Sequence, residues 1–152
     1  HQAGDEDEAW ERWSECRRLD EAQGIRGGHV LPGLGDIALE RGDFDAAREC
    51  YAQFLTHRHA IGDRWCIAWG LQRVGALALA EGDPARAARL VSASLAMREA
   101  ARPLSPEGRA PYDALRQAIG EALGADALAA SWESGRILEI DAAVADALAD
   151  AP

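Results

Sequence analysis

The sequence predicts an all-helical chain, an α-α superhelix of antiparallel helix hairpins closed by a helical cap at its C-terminal end. Residues that favour helix are frequent, whereas aromatic residues make up only 6 % of the chain. The stretch LGDIALERGDFDAARECY, residues 34–51, shares its skeleton with VGALALAEGDPARAARLV, residues 74–91. In both copies, apolar residues recur at helical spacing before and after a Gly-Asp pair. Each copy is therefore predicted to be two helices joined by a tight turn.

The two copies align at a spacing of 40 residues. Their shared residues are mostly small: Gly35 and Gly75, Ala38 and Ala78, Gly42-Asp43 and Gly82-Asp83, Ala47 and Ala87. We expect the glycine of the first helix and the alanine of the second to lie where the two helices cross most closely. A larger side chain at such a crossing would push the helices apart.

The turn residues agree with this reading. Gly82 can adopt the left-handed conformation that ends a helix, Asp83 can cap the next helix, and Pro84 suits the first helical position. The pairs Gly42-Asp43 and Gly62-Asp63 carry the same signals without the proline. The sequence therefore predicts turns at each of these pairs.

One helical-repeat domain is predicted, with a half repeat at about 9–24, repeat 1 at 28–61, repeat 2 at 63–102 and capping helices at 105–150. Ser105 and Pro106 are predicted as a cap and a first turn. Because Pro111 would be costly inside a helix, the next continuous helix is predicted from about Pro111 to Leu123. Shorter helices are predicted at about 126–133 and 140–148. The chain begins with histidine and a helix is predicted within its first ten residues, so we expect a fragment of a larger protein.

The repeat resembles a known family. A Leu-Gly pair, then alanine twelve positions after the glycine and an aromatic or apolar residue four further on, is similar to the tetratricopeptide repeat. The matching positions are Leu34, Gly35, Ala47 and Tyr51 in the first copy, and Val74, Gly75, Ala87 and Val91 in the second. The unit is 40 residues long rather than about 34, which is nearer to HEAT-like repeats, so these remain the structural alternative.

The C-terminal tail carries a second resemblance. The run from SPEGRAPYDALRQAIGEALG to SWESGRILEIDAAVADAL is similar to the end of bacterial regulators that join a STAND-type ATPase to helical repeats. Such regulators are LuxR-type, activator-type or cyclase-linked, and the resemblance implies a role in signalling or transcription. Neither an ATPase motif nor a DNA-binding motif lies in this chain, so those activities are not assigned to it.

Composition excludes several classes of partner. The net charge of −10 would repel a phosphate backbone, so direct binding of nucleic acid is not expected. The three cysteines have no CxxC spacing and fit the reduced thiols of a cytoplasmic protein. No apolar run approaches the length of about 20 residues that a membrane helix needs, and the start HQAGDEDE lacks the features of a signal peptide. We expect a soluble chain.

No enzyme, cofactor or metal site is predicted. Gly33 and Gly35 imitate a dinucleotide fingerprint, but no strand is predicted before them and position 53 is glutamine instead of an acid. His57 and His59 lack the spacing of a zinc-binding helix. No Ser-His-Asp order or nucleophile elbow is present.

The tetratricopeptide resemblance implies where a partner binds, because the first helix of each unit lines the concave side. Carried over position by position, the groove residues with polar or aromatic side chains are His29, Asp36, Glu40, Trp69 and Gln72. The apolar groove positions are Pro32, Leu39, Ala76, Leu79 and Ala80. Trp65 is instead expected to pack between hairpins.

The predicted function is a protein–protein interaction or sensor module that binds a peptide segment, another protein or a domain of its own parent chain. A basic segment is expected to dock at Asp36 and Glu40. The alternative is a domain that binds a small-molecule effector, which a deep apolar pocket would favour. We also expect the helix bearing Trp10 and Trp13 to be adhesive and to form a homodimer, because cutting a solenoid exposes a stacking face.

Overall fold

The computed structural model describes residues 2–22 and 30–149, and every regular element within them is a helix. The helices are α1 (Gln2–Ala22), α2 (Val30–Glu40), α3 (Phe44–Ala60), α4 (Arg64–Ala80), α5 (Pro84–Ala101), α6 (Pro106–Leu123), α7 (Ala125–Arg136) and α8 (Ile140–Leu148). The predicted all-α fold is confirmed, with α2/α3 and α4/α5 as the two hairpins. The first helix begins at Gln2 instead of near Ala9, since its acidic residues are themselves helical.

Three turns of one kind separate α2, α3, α4 and α5. Each has a glycine in the left-handed region, with φ of 76°, 71° and 86° at Gly42, Gly62 and Gly82. The aspartate that follows each glycine donates its backbone N–H to the carbonyl five residues earlier, at 2.8 to 3.0 Å. Its carboxylate also accepts a hydrogen bond from the backbone N–H three residues later and caps the next helix. One Gly-Asp pair thus ends one helix and starts another, as predicted.

The helices of each hairpin meet at the predicted glycines. A Cβ atom on Gly35 would lie 2.3 Å from Cε1 of Tyr51, and one on Gly75 would lie 2.6 Å from Cγ2 of Val91. Neither position leaves room for a side chain without movement of its neighbour. The atoms facing Gly35 belong to Tyr51 on the next turn of α3, whereas the prediction had placed Ala47 there.

Helix α6 differs from the prediction, because it begins at Pro106 and continues through Pro111. Ser105 caps it by accepting a hydrogen bond from the Gly108 N–H at 3.2 Å. Pro111 is exposed, so the carbonyl that loses its helical partner is close to solvent, and Tyr112 beside it is buried in the core. The N-terminal cap and the burial of Tyr112 hold α6 in one piece despite the proline, whose effect depends on this surrounding structure.

A buried polar contact ties α6 to both helices of the second hairpin. Ser94 on α5 donates its hydroxyl hydrogen to the Ala68 carbonyl on α4, at 2.5 Å. Because that hydrogen is used, the Tyr112 hydroxyl is the donor in the 2.8 Å contact with Ser94 Oγ. Both polar groups are therefore satisfied inside the core.

The tail wraps around α5 and makes it the central helix. Helix α6 contacts α4 and α5, α7 contacts α5 and α6, and α8 contacts α3, α4 and α5. Nine residues of α5 are buried: Arg86, Ala87, Ala88, Leu90, Val91, Ser92, Ala93, Ser94 and Leu95. One apolar cluster joins α2, α3, α4 and α5 to Ala143, Val144 and Ala147 of α8. The cap is therefore part of the core of the repeats.

Helix α8 is held at both ends. At its C-terminal end, Nη2 of Arg86 donates to the carbonyls of Asp146 and Ala149, at 2.6 and 2.8 Å. Nε of Arg89 donates to the Asp146 carboxylate at 2.9 Å. These cations lie where the helix dipole is negative. At its N-terminal end, His59 Nε2 lies 2.7 Å from the Asp141 carboxylate.

Candidate functional site

The predicted groove residues lie on α2 and α4, which contact each other. Glu40 and Ala80 are exposed, and Asp36, Trp69 and Gln72 are half-buried. The apolar groove positions Leu39, Ala76 and Leu79 are half-buried, whereas Pro32 is buried and cannot contact a partner. His29 lies outside the described residues. The structure therefore brings part of the predicted set to one surface.

Asp36 is engaged within its own chain. The Tyr51 hydroxyl donates to Oδ1 of Asp36 at 2.7 Å, and Arg73 on α4 donates to Oδ2 through Nε at 3.1 Å and Nη2 at 2.9 Å. Burial and, next, the charge of Asp36 raise the pKa of Tyr51, which keeps the hydroxyl protonated as a donor. The carboxylate predicted to receive a basic segment already holds a guanidinium.

Trp69 packs against the same arginine. The guanidinium carbon of Arg73 lies 3.7 Å from the centroid of the Trp69 ring, and the Phe54 ring meets Trp69 edge-on with centroids 5.7 Å apart. Arg73 thus has its face on an aromatic ring and its N–H groups on a carboxylate, a favourable combination for a guanidinium. This Trp69–Arg73–Asp36 sandwich connects α4 to α2.

Trp65 was predicted to pack between hairpins, and this prediction is wrong. Its residue surface is 51 % exposed, and Arg98 of α5 lies over its ring at 4.0 Å from the centroid. A cavity of about 330 Å³ adjoins both side chains, between the start of α4 and the end of α5. Helical spacing placed Trp65 and Trp69 on one face, but it could not show that α5 covers this end of α4 incompletely.

Two other cavities border α8. One of about 240 Å³ lies near its C-terminal end and is lined by Arg48, Glu81 and Arg86 among others. Arg48 and Glu81 form an ion pair there. The second, of about 430 Å³, lies at its N-terminal end beside His59 and Asp141. Arg48 is paired with Glu81 and His59 with Asp141, whereas Arg64 and Glu139, which also line the second cavity, form no ion pair with a described residue.

Titratable side chains show no arrangement for metal binding. In residues 2–22 and 30–149, no group of three or more His, Cys, Asp or Glu side chains is placed to hold a metal ion. Burial raises the pKa of the Cys50 and Cys66 thiols, so both remain protonated near neutral pH. None of the helices in this part of the chain has the length and apolar character needed to cross a bilayer.

The N-terminal helix is partly covered by its neighbour. The Trp13 ring lies against Gly33 of α2, about 3.0 Å from where a Cβ atom would be, and Trp10 packs against the core beneath Arg41. Trp13 and Leu19 remain 37 % and 45 % exposed. The predicted adhesive end thus keeps some apolar surface, and the homodimer stays a prediction.

No family model, curated protein or solved structure matches this chain. The tetratricopeptide resemblance therefore rests on the quoted repeat positions. The hairpin geometry places those positions at close helix crossings, with Gly35 against Tyr51 and Gly75 against Val91.

Proposed function

We propose that this chain is an interaction module whose binding surface is the face of α2 and α4. One observation supports it above the others. The tail helices α6, α7 and α8 pack around α3, α4 and α5 without a substantial contact to α2, while the groove positions on α2 and α4 keep side chains at the surface. A row of first helices with its face uncovered is the surface that helical-repeat proteins use for binding.

The expected partner is an extended segment with apolar residues and at least one basic residue. Arg73 neutralises Asp36, so Glu40 is the exposed carboxylate that remains at this face. Half-buried Leu39, Ala76 and Leu79 provide apolar contacts along the same surface. Because the charge at Glu40 is exposed, binding should weaken as salt is added.

The resemblance of the tail supports a setting for this function. We propose a cytoplasmic bacterial signalling or transcriptional regulator, in which the module binds another protein or a domain of the parent chain. It needs no catalytic residue or cofactor of its own. The acidic charge of −10 supports a protein partner over nucleic acid.

The test uses two matched substitutions, Ala80→Arg in the groove and Ala129→Arg on α7. Both alanines are exposed helix residues, so neither change should unfold the chain. Peptides selected by phage display against the wild-type chain are titrated against both variants and against Glu40→Lys. We expect Ala80→Arg and Glu40→Lys to weaken the selected basic peptides about tenfold, and Ala129→Arg to leave them unchanged. Selected peptides that bind all three variants as they bind the wild type would remove the α2/α4 face as the site.

A second candidate function is the binding of a small-molecule effector. The cavity beside Trp65 supports it, since its volume of about 330 Å³ falls within the range of roughly 300 to 1,000 Å³ found for ligand pockets. This cavity lies at the other end of α4 from Ala80, so the two functions can be tested separately.

A further inference from the structure

The cavity between the start of α4 and the end of α5 combines an aromatic ring, two cations and an apolar wall. Trp65 and Arg64 line it from α4, and Met97 and Arg98 line it from α5. Three alanines, Ala68, Ala100 and Ala101, complete its lining. No carboxylate is among these side chains, although acidic residues outnumber basic ones in the chain by 26 to 16.

Neither guanidinium group of this cavity has a carboxylate partner among the described residues. In residues 2–22 and 30–149, eleven arginines form ion pairs, but neither Arg64 nor Arg98 does. Asp63, next to Arg64 in sequence, is already engaged by Arg58 and by the Cys66 N–H. The cavity is therefore a local positive site on an acidic protein, and such a site concentrates small anions.

The Trp69–Arg73–Asp36 sandwich shows what this arrangement is suited to hold. There the guanidinium lies on an indole ring and its edge donates two hydrogen bonds to one carboxylate. At Trp65 the guanidinium of Arg98 lies on an indole ring at a similar distance, 4.0 Å against 3.7 Å. Among the described residues, no carboxylate accepts hydrogen bonds from Arg98 as Asp36 does from Arg73.

Arg98 is positioned in advance for such a ligand. Its Nε is buried without a hydrogen-bond acceptor within the described part of the chain, and its guanidinium carbon lies over the Trp65 ring, 4.0 Å from the centroid. Stacking occupies the face of the guanidinium and leaves the Nη groups at its edge to donate. A group already held in place loses less conformational freedom when it binds a planar anion.

We propose that this cavity binds an organic acid, with its carboxylate on Arg98 and Arg64 and its apolar or aromatic group against Trp65 and Met97. This proposal rests on the second candidate function, the binding of a small-molecule effector, and names organic acids as the class of that effector. It does not depend on the α2/α4 groove. The same chemistry is found in a free acid and in a chain that ends in an apolar residue.

Phenylacetate and its uncharged isostere phenylacetamide are the probes for the test. Each is titrated into the full chain by calorimetry, and the indole N–H of Trp65 is followed by NMR after assignment with Trp65→Phe. We expect saturable binding of phenylacetate and binding of the amide weaker by about tenfold or more, because the hydrogen bonds to a charged acceptor are lost. Equal affinities for acid and amide, or no movement of the Trp65 signal at millimolar phenylacetate, would overturn the proposal.

Variants locate the site. Arg98→Gln should weaken phenylacetate by about tenfold and Arg64→Gln should weaken it less, since Arg98 alone is stacked on the ring. The matched control is Arg102→Gln, an exposed arginine outside the cavity lining, which should bind as the wild type does. Wild-type affinity in both cavity variants, with helix content retained, would contradict the assignment.

A further titration with peptides distinguishes a chain end from a free organic acid as the ligand. A short peptide ending in phenylalanine is compared with its C-terminally amidated form. Tighter binding of the free-acid peptide than of phenylacetate supports a chain end as the ligand, whereas weaker binding supports a free organic acid. Equal binding by the two peptide forms would count against recognition of the carboxylate.

Discussion

Gly135, in the last turn of α7, lies at a close approach between the cap and the repeats. A Cβ atom there would lie 2.1 Å from the carbonyl oxygen of Arg89 and 2.5 Å from its Cα, on α5. A normal carbon–oxygen contact is about 3.3 Å, so α7 would have to move away from α5 by about 1.2 Å. Both of these atoms belong to the backbone of the central helix and cannot move aside as a flexible side chain would.

The substitution Gly135→Ala should therefore destabilise the chain, although alanine favours helix. Overpacking of a rigid site costs about 1 to 3 kcal/mol, and we expect the upper end because backbone is displaced. The greater helix propensity of alanine offsets up to about 1 kcal/mol of this cost. The net loss is about 2 kcal/mol, which lowers Tm by roughly 4 to 8 °C for a domain of this size.

The assay is urea and thermal unfolding followed by circular dichroism, with Gly108→Ala as the matched control. A Cβ atom on Gly108, near the start of α6, would have its nearest neighbour at 3.5 Å, an ordinary contact. That variant should be unchanged or more stable by up to about 1 kcal/mol. If Gly135→Ala proves as stable as Gly108→Ala, α7 does not pack on α5 as described.

Four further changes test the turns, the core and the cap. Gly62→Ala should cost about 1 to 2 kcal/mol in urea unfolding, because φ is 71° and no neighbouring atom is close; an unchanged midpoint would argue against this turn. Burial of Asp63 opposes ionisation, but hydrogen bonds from Cys66 and the charge of Arg58 outweigh it and lower the pKa of Asp63. Its ionised form therefore adds stability above its unfolded pKa of about 3.9, and this is lost as pH falls through the lower folded value. Asp63→Asn, which still caps the helix, should cost about 0.5 to 1 kcal/mol at pH 7 and nothing at strongly acidic pH; a difference independent of pH would contradict this. Arg86→Met should speed hydrogen exchange in α8 relative to α4, because the last carbonyls of α8 lose their donor; equal protection would show that apolar packing alone holds α8. Tyr112→Phe should lower stability by about 1 kcal/mol through loss of one buried hydrogen bond, and a gain in stability would be inconsistent with the contact.

The predicted groove shows how far a repeat pattern can be carried. The pattern assigned Asp36 and Trp69 to one face, and the structure does bring them together. The pattern predicted that both side chains bind a partner, however, whereas in the structure Arg73 lies over the Trp69 ring and forms an ion pair with Asp36. The arginine lies one turn after Trp69 on the same helix, so the stacked pair was visible in the sequence. Its contact with Asp36 was not, because that contact depends on how α2 lies beside α4.

The elements themselves were determined by the sequence, because their signals are local. A glycine with positive φ, an aspartate cap and apolar residues at helical spacing act within one turn of the chain, so the hairpins and turns at Gly42, Gly62 and Gly82 followed from them. The continuity of α6 from Pro106 through Pro111 was missed, because Pro111 is tolerated only where the surrounding structure compensates for it. The tertiary structure alone decided that the tail encloses α5 and that Arg98 lies over Trp65. Such contacts join residues far apart in the chain, and which of them form depends on how whole helices pack together.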